Sequence, residues 1–214
     1  EAITGGYVMD SIPGLYENIV VLDFRSLYPS LMQTFNIDPL SFGKKGVKAP
    51  NGAMFSKEKG IMPEIIAELL EVREEFRKKK DEVGRQAIKI QLASFFGVMA
   101  SPLCRYYNLD LANAITSFAQ FFIKKTGELV REEGYEIIYE DTDSIFCLAG
   151  KKDPQKIGKE LEERINAILK DYIRSQYYVE SFLQLEFKKV YTQFIMPKLR
   201  GVDKGAKKRY AGRV

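Results

Sequence analysis

The chain reads as an α+β protein: an antiparallel sheet backed by helices, with an antiparallel helical hairpin inserted between two acid-bearing strands. Three observations predict this. A continuous apolar run, Ile19-Val20-Val21-Leu22, has the look of a buried strand and ends on Asp23. The runs Tyr135 to Tyr139 and Ile145 to Leu148 flank the turn Glu140-Asp141-Thr142-Asp143, as the arms of a hairpin would. Between these strands lie long stretches in which apolar residues recur at helical spacing.

Each element follows from local composition. After Gly5-Gly6 and an extended segment comes the Asp23 strand, then a helix-like start from Tyr28 to Phe35. The Gly, Pro and Lys-rich stretch from Phe42 to Gly60 reads as loop. Pro63 then opens an amphipathic helix with Met62, Ile65, Ile66, Leu69, Leu70 and Phe76 on one side, running to about Lys80. A turn near Asp81 to Gly84 leads to a second helix carrying Ile88, Leu92, Phe95 and Phe96. A third long helix spans about Leu109 to Glu133 and is stopped by Gly134. Beyond the acidic hairpin, Ile157, Leu161, Ile165, Ile168 and Leu169 predict a helix from about Pro154 to Tyr172 that covers the rear of the sheet. A strand pair near Leu183 to Met196 completes the sheet.

The 214 residues are 45% hydrophobic and 29% charged, enough apolar material for one sizeable core, or for a domain with an appendage. No run approaches the roughly 20 apolar residues of a membrane span, and Glu1-Ala2-Ile3-Thr4 does not begin a signal peptide, so no membrane partner and a cytoplasmic location are expected. With no histidine, and with Cys104 and Cys147 at no metal-type spacing, neither a zinc site nor a histidine base is expected; the cysteines read as buried thiols, with one disulfide as the alternative. Residues 198 to 214 hold Lys198, Arg200, Lys204, Lys207, Lys208, Arg209 and Arg213 against Asp203 alone. Such a stripe is either a solvated charge run or a surface that follows a phosphate backbone.

Carboxylates crowded at strand ends repel one another and lose hydration, which favours a positive partner, and hard oxygen ligands suit Mg²⁺ or Mn²⁺. The acidic turn is also compatible with a purely structural Asp-Thr turn, and Asp23 with a cap of the turn that follows it. Were Asp23 and Asp143 to converge, two divalent ions could serve in-line phosphoryl transfer. Arg73 and Arg77, four apart on one helix, either pair with Glu74 and Glu75 on a solvated face or bind phosphate.

These residues, in this order, resemble the palm and fingers of a family B DNA polymerase. Asp23 to Ser30 resembles motif A of that family, Lys89 to Gly97 motif B, Tyr139 to Ser144 motif C, and Lys207-Lys208-Arg209-Tyr210 a fourth motif near the thumb. Gly5 to Ser11, Phe35 to Pro39 and Cys104 to Tyr107 are most similar to the bacterial DNA polymerase II branch. The resemblance implies palm at 1–60, fingers at 61–100, and a second palm segment at 101–214 ending in a basic duplex-binding stretch.

It further implies template-directed DNA synthesis, with Asp23, Asp143 and the Phe24 carbonyl as ligands of two Mg²⁺ ions, Mn²⁺ substituting, and Asp141 as a further candidate. Ser26 and Leu27 N–H groups, Tyr28, Arg73, Arg77 and Lys89 would bind the dNTP, Lys89 also protonating the leaving pyrophosphate. Tyr28 would block a 2′-hydroxyl, although core packing also explains an aromatic there. Thr142, Lys207, Lys208, Arg209 and Tyr210 would contact primer-template DNA. The missing amino-terminal, exonuclease and thumb regions of the same polymerase, and a sliding clamp, are the further partners implied, with a nucleoid association if the source is bacterial.

The chain departs from the family pattern at five places. Ala93 and Phe96 stand where motif B carries asparagine and tyrosine, removing a hydrogen-bonding amide and a hydroxyl. Glu140 stands for a small residue before Asp141, and the sequence leaves open whether it faces the metal side. Lys188 follows Glu186 where a second acid is expected and would compete for the same carboxylates, while Ile3 replaces the tyrosine of a Tyr-x-Gly-Gly motif. A catalytically impaired palm module that binds DNA or a partner without synthesis is the alternative these departures motivate; a metal-dependent nuclease would share the acids but not Tyr28, Lys89 and the cationic helix.

Overall fold

The computed structural model describes residues 3–199, 201 and 205–214; of the basic tail, Arg200, Asp203 and Lys204 lie outside the described residues. The elements run β1 (Gly14–Phe24), α1 (Leu27–Phe35), β2 (Phe42–Lys48), β3 (Met54–Phe55), α2 (Ile61–Lys78), α3 (Glu82–Ala100), α4 (Leu109–Glu132), β4 (Glu136–Asp141), β5 (Ser144–Leu148), α5 (Pro154–Tyr177), β6 (Leu185–Met196) and β7 (Ala211–Arg213). They form two compact units. One comprises Glu1–Gly5, Ser26–Phe118 and Gln176–Phe182, the other Gly6–Arg25, Ala119–Ser175 and Leu183–Val214.

The second unit is built on a five-stranded antiparallel sheet in the order β4-β5-β1-β6-β7. The apolar run of β1 makes it the central strand, with Ile19, Val20 and Leu22 fully buried. Ile19 and Val21 on one face join Ile138, Tyr139, Phe146, Tyr191, Phe194 and Met196 in an aromatic-rich core. Alternation along the strand sends Val20 and Leu22 to the other face. α5 buries Ile157, Leu161, Ile165, Leu169 and Ile173 in one stripe and seats on the start of β6. There Asn166 exchanges two 2.8 Å hydrogen bonds with the Leu185 backbone, and Glu162 accepts the Phe187 N–H at 2.6 Å.

The first unit is helical. α2 and α3 form the expected antiparallel hairpin: Lys80 takes a left-handed φ of 56° at the turn, and Asp81 caps α3 by accepting the Gly84 N–H at 2.9 Å. Phe35 of α1 stacks on Phe118 at 3.9 Å, and Tyr177 meets it edge-on. Among the described residues, no helix is long and apolar enough to cross a membrane.

Three sequence expectations change. The stretch from Phe42 to Gly60 contains a β-hairpin, because Gly46 lets β2 approach the Phe55 carbonyl where a Cβ would sit only 2.3 Å away, and Gly43 and Gly52 take left-handed φ. The strand pair near Leu183 to Met196 is one continuous strand, since no Gly, Pro, Asn or Asp interrupts residues 185 to 196; its partners are β1 and β7. Both cysteines are free, and only Cys147 is fully buried, its thiol pushed up to about 12 by desolvation; Cys104 lies half-buried in the turn after α3.

Candidate active site

Antiparallel register assembles the carboxylates. Asp23, next to last in β1, pairs with Ser144 of β5 on one side and Glu186 of β6 on the other. The Ser144 hydroxyl donates to Asp23 Oδ2 at 2.8 Å and lies 3.3 Å from Asp143 Oδ1, so a single side chain spans the two acids. Asp143 is held at the tight turn between β4 and β5. Thr142 adopts a left-handed φ of 53° there, and the Phe24 N–H donates to the Asp143 carbonyl at 2.8 Å, tying the turn to the end of β1. Burial, then the neighbouring Asp23 charge, raise the Asp143 carboxyl above its ordinary value, against a lowering contribution from Ser144.

Two oxygen acids that repel each other, with neither histidine nor thiol beside them, form a donor set suited to a hard divalent cation, and one or two carboxylates completed by substrate phosphates and water suffice for Mg²⁺. Among the described residues, no group of three or more His, Cys, Asp or Glu side chains could cage an ion by itself. The residues therefore fit a magnesium site shared with a phosphate substrate better than a protein-only cage. The Phe24 ring is buried in the core, leaving only its backbone to face such a site.

The other acids have partners. Asp141 Oδ2 accepts from the Tyr139 hydroxyl at 3.3 Å, while Oδ1 accepts from Thr142 at 3.0 Å and from the Lys208 ammonium. Tyr139, held in the core, has its hydroxyl pushed up to about 12, chiefly by burial. Glu186 is bound by the Lys188 ammonium and lies 3.8 Å from Arg25. Lys188 thus neutralises Glu186, the cross-strand neighbour of Asp23. The orientation of Glu140, open from the sequence, follows from strand alternation: Tyr139 and Asp141 share one face, and Glu140 points to the other. There its side chain is almost fully buried, pairs with Arg131 of α4 at 3.1 Å, and occupies space left by Gly127, where a Cβ would come within 2.2 Å. Burial raises its carboxyl above the ordinary range and Arg131 opposes the rise.

Residues 6–12, an extended segment in the sequence reading and part of the Gly5 to Ser11 resemblance, form a strap along β4. Thr142 N–H donates to Tyr7 O at 2.7 Å, Met9 N–H to Glu140 O at 2.9 Å, and Ile12 N–H to Ile138 O at 3.1 Å. Gly6 is needed because a Cβ there would meet the Thr142 side chain at 2.8 Å. The strap also holds the basic segment. Ser11 bonds Ala206 O at 3.0 Å and accepts the Gly205 N–H at 3.2 Å, and Lys207 pairs with Asp10 at 3.1 Å. The Lys208 N–H donates to the Tyr139 hydroxyl at 2.8 Å, and Tyr210 packs its ring against Phe146 and Phe194 with centroids 5.1 and 5.3 Å apart. Arg209 is exposed. The motif signal that could have found Ser11 and Asp10 is the Tyr7 to Ser11 stretch itself.

In the helical unit, Ser26 precedes α1 in a left-handed conformation (φ 47°, ψ 55°) and makes no side-chain cap; its hydroxyl instead accepts from the Arg73 guanidinium. Leu27 is the first residue of α1, and Pro29 in the same turn carries no N–H, so donors near this terminus are few. Lys89, Ala93 and Phe96 share one stripe of α3, and Phe96 contacts Tyr28 with centroids 4.9 Å apart. Lys89 and Ala93 are exposed, and Lys89 forms no ion pair among the described residues. Arg77 instead chelates Glu74, with hydrogen bonds of 3.0 and 2.6 Å.

A family model described as DNA polymerase family B matches residues 1–214. The chain belongs to this family. It is 39% identical over 224 residues to DNA polymerase II of Escherichia coli (strain K12), covering 99% of this chain and 28% of that protein. To the DNA polymerase of Thermococcus gorgonarius it is 32% identical over 209 residues, covering 89% of this chain and 26% of the relative. The structure of the family B DNA polymerase from Pyrobaculum calidifontis superimposes with a TM-score of 0.66 at 26% identity, covering 99% of this chain and 28% of the other. The chain therefore spans little more than a quarter of the length of these relatives, and its α+β architecture is that of the family.

Proposed function

We infer that this chain carries the nucleotidyl-transfer centre of a DNA polymerase: a primer 3′-hydroxyl attacks the α-phosphorus of a dNTP on a DNA template and pyrophosphate leaves. The observation that carries the reading is the Asp23, Ser144, Asp143 cluster, in which two carboxylates are forced together at the ends of paired strands. Asp23 and Asp143, with the Phe24 carbonyl, would hold two Mg²⁺ ions, or Mn²⁺ in their place. Bound there, the ions would supply activation of the attacking hydroxyl and neutralisation of phosphate charge. Asp141, already engaged by Lys208, orients the basic segment and is the weaker ligand candidate.

The remaining roles follow from chemistry. Arg73, fixed to Ser26, and the amides of Ser26 and Leu27 bind the triphosphate, and Tyr28, backed by the Phe96 ring, tests the sugar. Lys89 contacts the phosphates and donates a proton to the leaving group. Arg77 exchanges Glu74 for phosphate on nucleotide binding. Thr142, Lys207, Lys208, Arg209 and Tyr210 form the duplex-binding edge, with residues 1–60 and 101–214 as palm and 61–100 as fingers. The amino-terminal, exonuclease and thumb regions would be the rest of the same enzyme, a sliding clamp a further partner, and the cytoplasm or nucleoid the place of action.

The ion pairs Lys188 with Glu186 and Lys208 with Asp141 favour one competing reading, a module that binds DNA without synthesis, because both spend carboxylates on internal cations. Extension of a labelled primer-template at low salt with dNTPs and Mg²⁺, beside an Asp143→Asn control, separates the two. Synthesis lost in the control supports the polymerase reading. Duplex binding without synthesis, persisting in a longer chain that carries the amino-terminal, exonuclease and thumb regions proposed above, supports the module.

A further inference from the structure

The hairpin that replaces the expected loop has a composition that nucleotidyl transfer does not use. Residues 42–60 contain Lys44, Lys45, Lys48, Lys57 and Lys59 against Glu58 alone. All five lysines are exposed. Among the described residues, none of Lys44, Lys45, Lys48 and Lys59 enters an ion pair, although the α2–α3 hairpin, α5 and the basic segment pair several of their cations with acids. Unpaired like charges this close in sequence repel one another, so the arrangement has a cost that a bound polyanion would offset.

The scaffold beneath the lysines is ordered. Asn36, at the end of α1 with a left-handed φ of 55°, donates through its amide to the carbonyls of Ser56 at 2.5 Å and Glu58 at 2.6 Å, and accepts the Gly60 N–H at 2.8 Å. Ser41 hydroxyl bonds Asn36 O at 2.5 Å, and Asp38 caps both Leu40 and Met62 amides. Val47, Ala49 and Phe55 are buried, so Lys48 between the first two is turned outward by strand alternation. The charges are thus presented on a fixed backbone, which lowers the entropic cost of engaging a ligand.

One aromatic completes the surface. Just beyond β3, the Lys57 ammonium lies 5.2 Å from the centroid of the Tyr178 ring, and Tyr178 is 77% exposed. A large exposed ring beside one lysine of a lysine-rich hairpin is the pairing that single-stranded nucleic acid uses: cations follow the backbone, and a base stacks on the ring. A duplex offers no free base face to such a ring, and an acidic protein has no need of one.

We propose that the β2–β3 hairpin, through Lys44, Lys45, Lys48 and Lys57 with Tyr178, is a binding surface for single-stranded nucleic acid, separate from the basic segment at residues 205–210. The proposal rests on the polymerase reading for its source of single strand, an unpaired template overhang. Fluorescence anisotropy on the full chain measures affinity for a blunt duplex and for the same duplex with a 5′ overhang of about ten nucleotides, across a salt series. The overhang should add affinity to the wild type. Lys44→Ala/Lys45→Ala/Lys48→Ala should remove that increment and lower the salt slope by about 2, at roughly 0.7 per single-strand phosphate released. Blunt-duplex affinity and melting temperature should not change, because the three side chains are exposed and unpaired. Tyr178→Asn, which suits the left-handed φ of 56° there, should reduce the increment about five- to tenfold. An overhang increment that survives the triple variant overturns the proposal alone. A wild type that binds neither probe overturns it together with the polymerase reading, whereas overhang binding without blunt-duplex binding supports the hairpin and counts against the duplex edge.

Discussion

The candidate groups of the sheet unit and of the helical unit are held in different ways. Strand register and the β4–β5 turn place Asp23, Asp143 and Asp141: each is bonded to a side chain of an adjacent strand, turn or basic segment, and burial raises the Asp143 carboxyl. Arg77 and Lys89 stand on exposed helix faces; Arg77 has a local acid three residues away and Lys89 no ion-pair partner among the described residues. The sheet supplies a pre-organised but repulsive site, the helices a compliant one. Function built on the first should fail when a single atom is changed. Function built on the second should fail in rate while leaving the fold untouched.

The largest expected effect breaks the sheet site. Asp143→Asn keeps the shape and removes the charge, and primer extension should fall on the order of 10³-fold, as when a charge-stabilising group is lost from an active site. Stability should move the other way. A carboxyl whose folded value is raised binds its proton more tightly when folded, so it weakens the fold as pH rises from the ordinary aspartate range through the raised value. Calorimetry above that window should show a higher Tm for the variant in metal-free buffer. Magnesium should raise the Tm of the wild type and leave that of the variant unmoved. A variant less stable than wild type without metal would mean that Asp143 is structural.

Next comes the helical face. Lys89→Ala should lower kcat on the order of 10²-fold, the lower end of general-acid contributions, with Tm unchanged. Single-turnover rates of the wild type and the variant, with Lys89→Arg beside them, test it: the guanidinium keeps a cation for the phosphates but is a poor proton donor, so it should restore little of the rate. An unchanged rate would make Lys89 a solvated surface residue.

A third effect lies behind the acidic turn, in a pair that faces away from it. Arg131→Ala strands the buried Glu140 carboxylate and should cost about 2 kcal/mol, discounted for the partial exposure of Arg131. Glu140→Ala removes the buried charge itself and should cost about 1 kcal/mol, leaving Arg131 to water. Since burial holds the Glu140 carboxyl raised, the Arg131→Ala penalty should be greatest at neutral pH and shrink towards about pH 3, below the ordinary glutamate range, where the acid is protonated in both states. Denaturant unfolding at the two pH values measures this. Equal costs for both variants would show that packing against Gly127, and not charge, sets the energy.

How far the sequence could be read divides along the same line. The apolar run ending at Asp23 and the paired runs around Asp143 imply a central strand and a hairpin, because burial on two faces demands continuous apolar residues; both elements are present. The helices were legible from their periodic stripes, to within a few residues at most ends. The β2–β3 hairpin was not, since its glycines read as loop punctuation until the close approach of Gly46 to Phe55 O gives them a reason. Nor was the strap of residues 6–12, whose backbone bonds to β4 carry no side-chain pattern. Side-chain pairing was the least visible. That Lys208 would seat on Asp141, and Lys188 on Glu186, depends on contacts whose geometry no spacing rule contains.

The smallest effect sharpens the comparison at Arg77. Its two bonds to the single oxygen Glu74 Oε1 make an exposed i,i+3 pair on a helix, the kind worth a few tenths of a kcal/mol, so Arg77→Ala should shift stability by no more than about 0.5 kcal/mol. If the guanidinium exchanges Glu74 for a triphosphate, the substitution should raise the dNTP KM several-fold with kcat little changed. The complementary Glu74→Gln weakens that one bond to the guanidinium and should lower KM. A rise in KM from both variants would assign the pair to holding α2 in shape, because only a competing ligand makes the carboxylate and the guanidinium act with opposite sign.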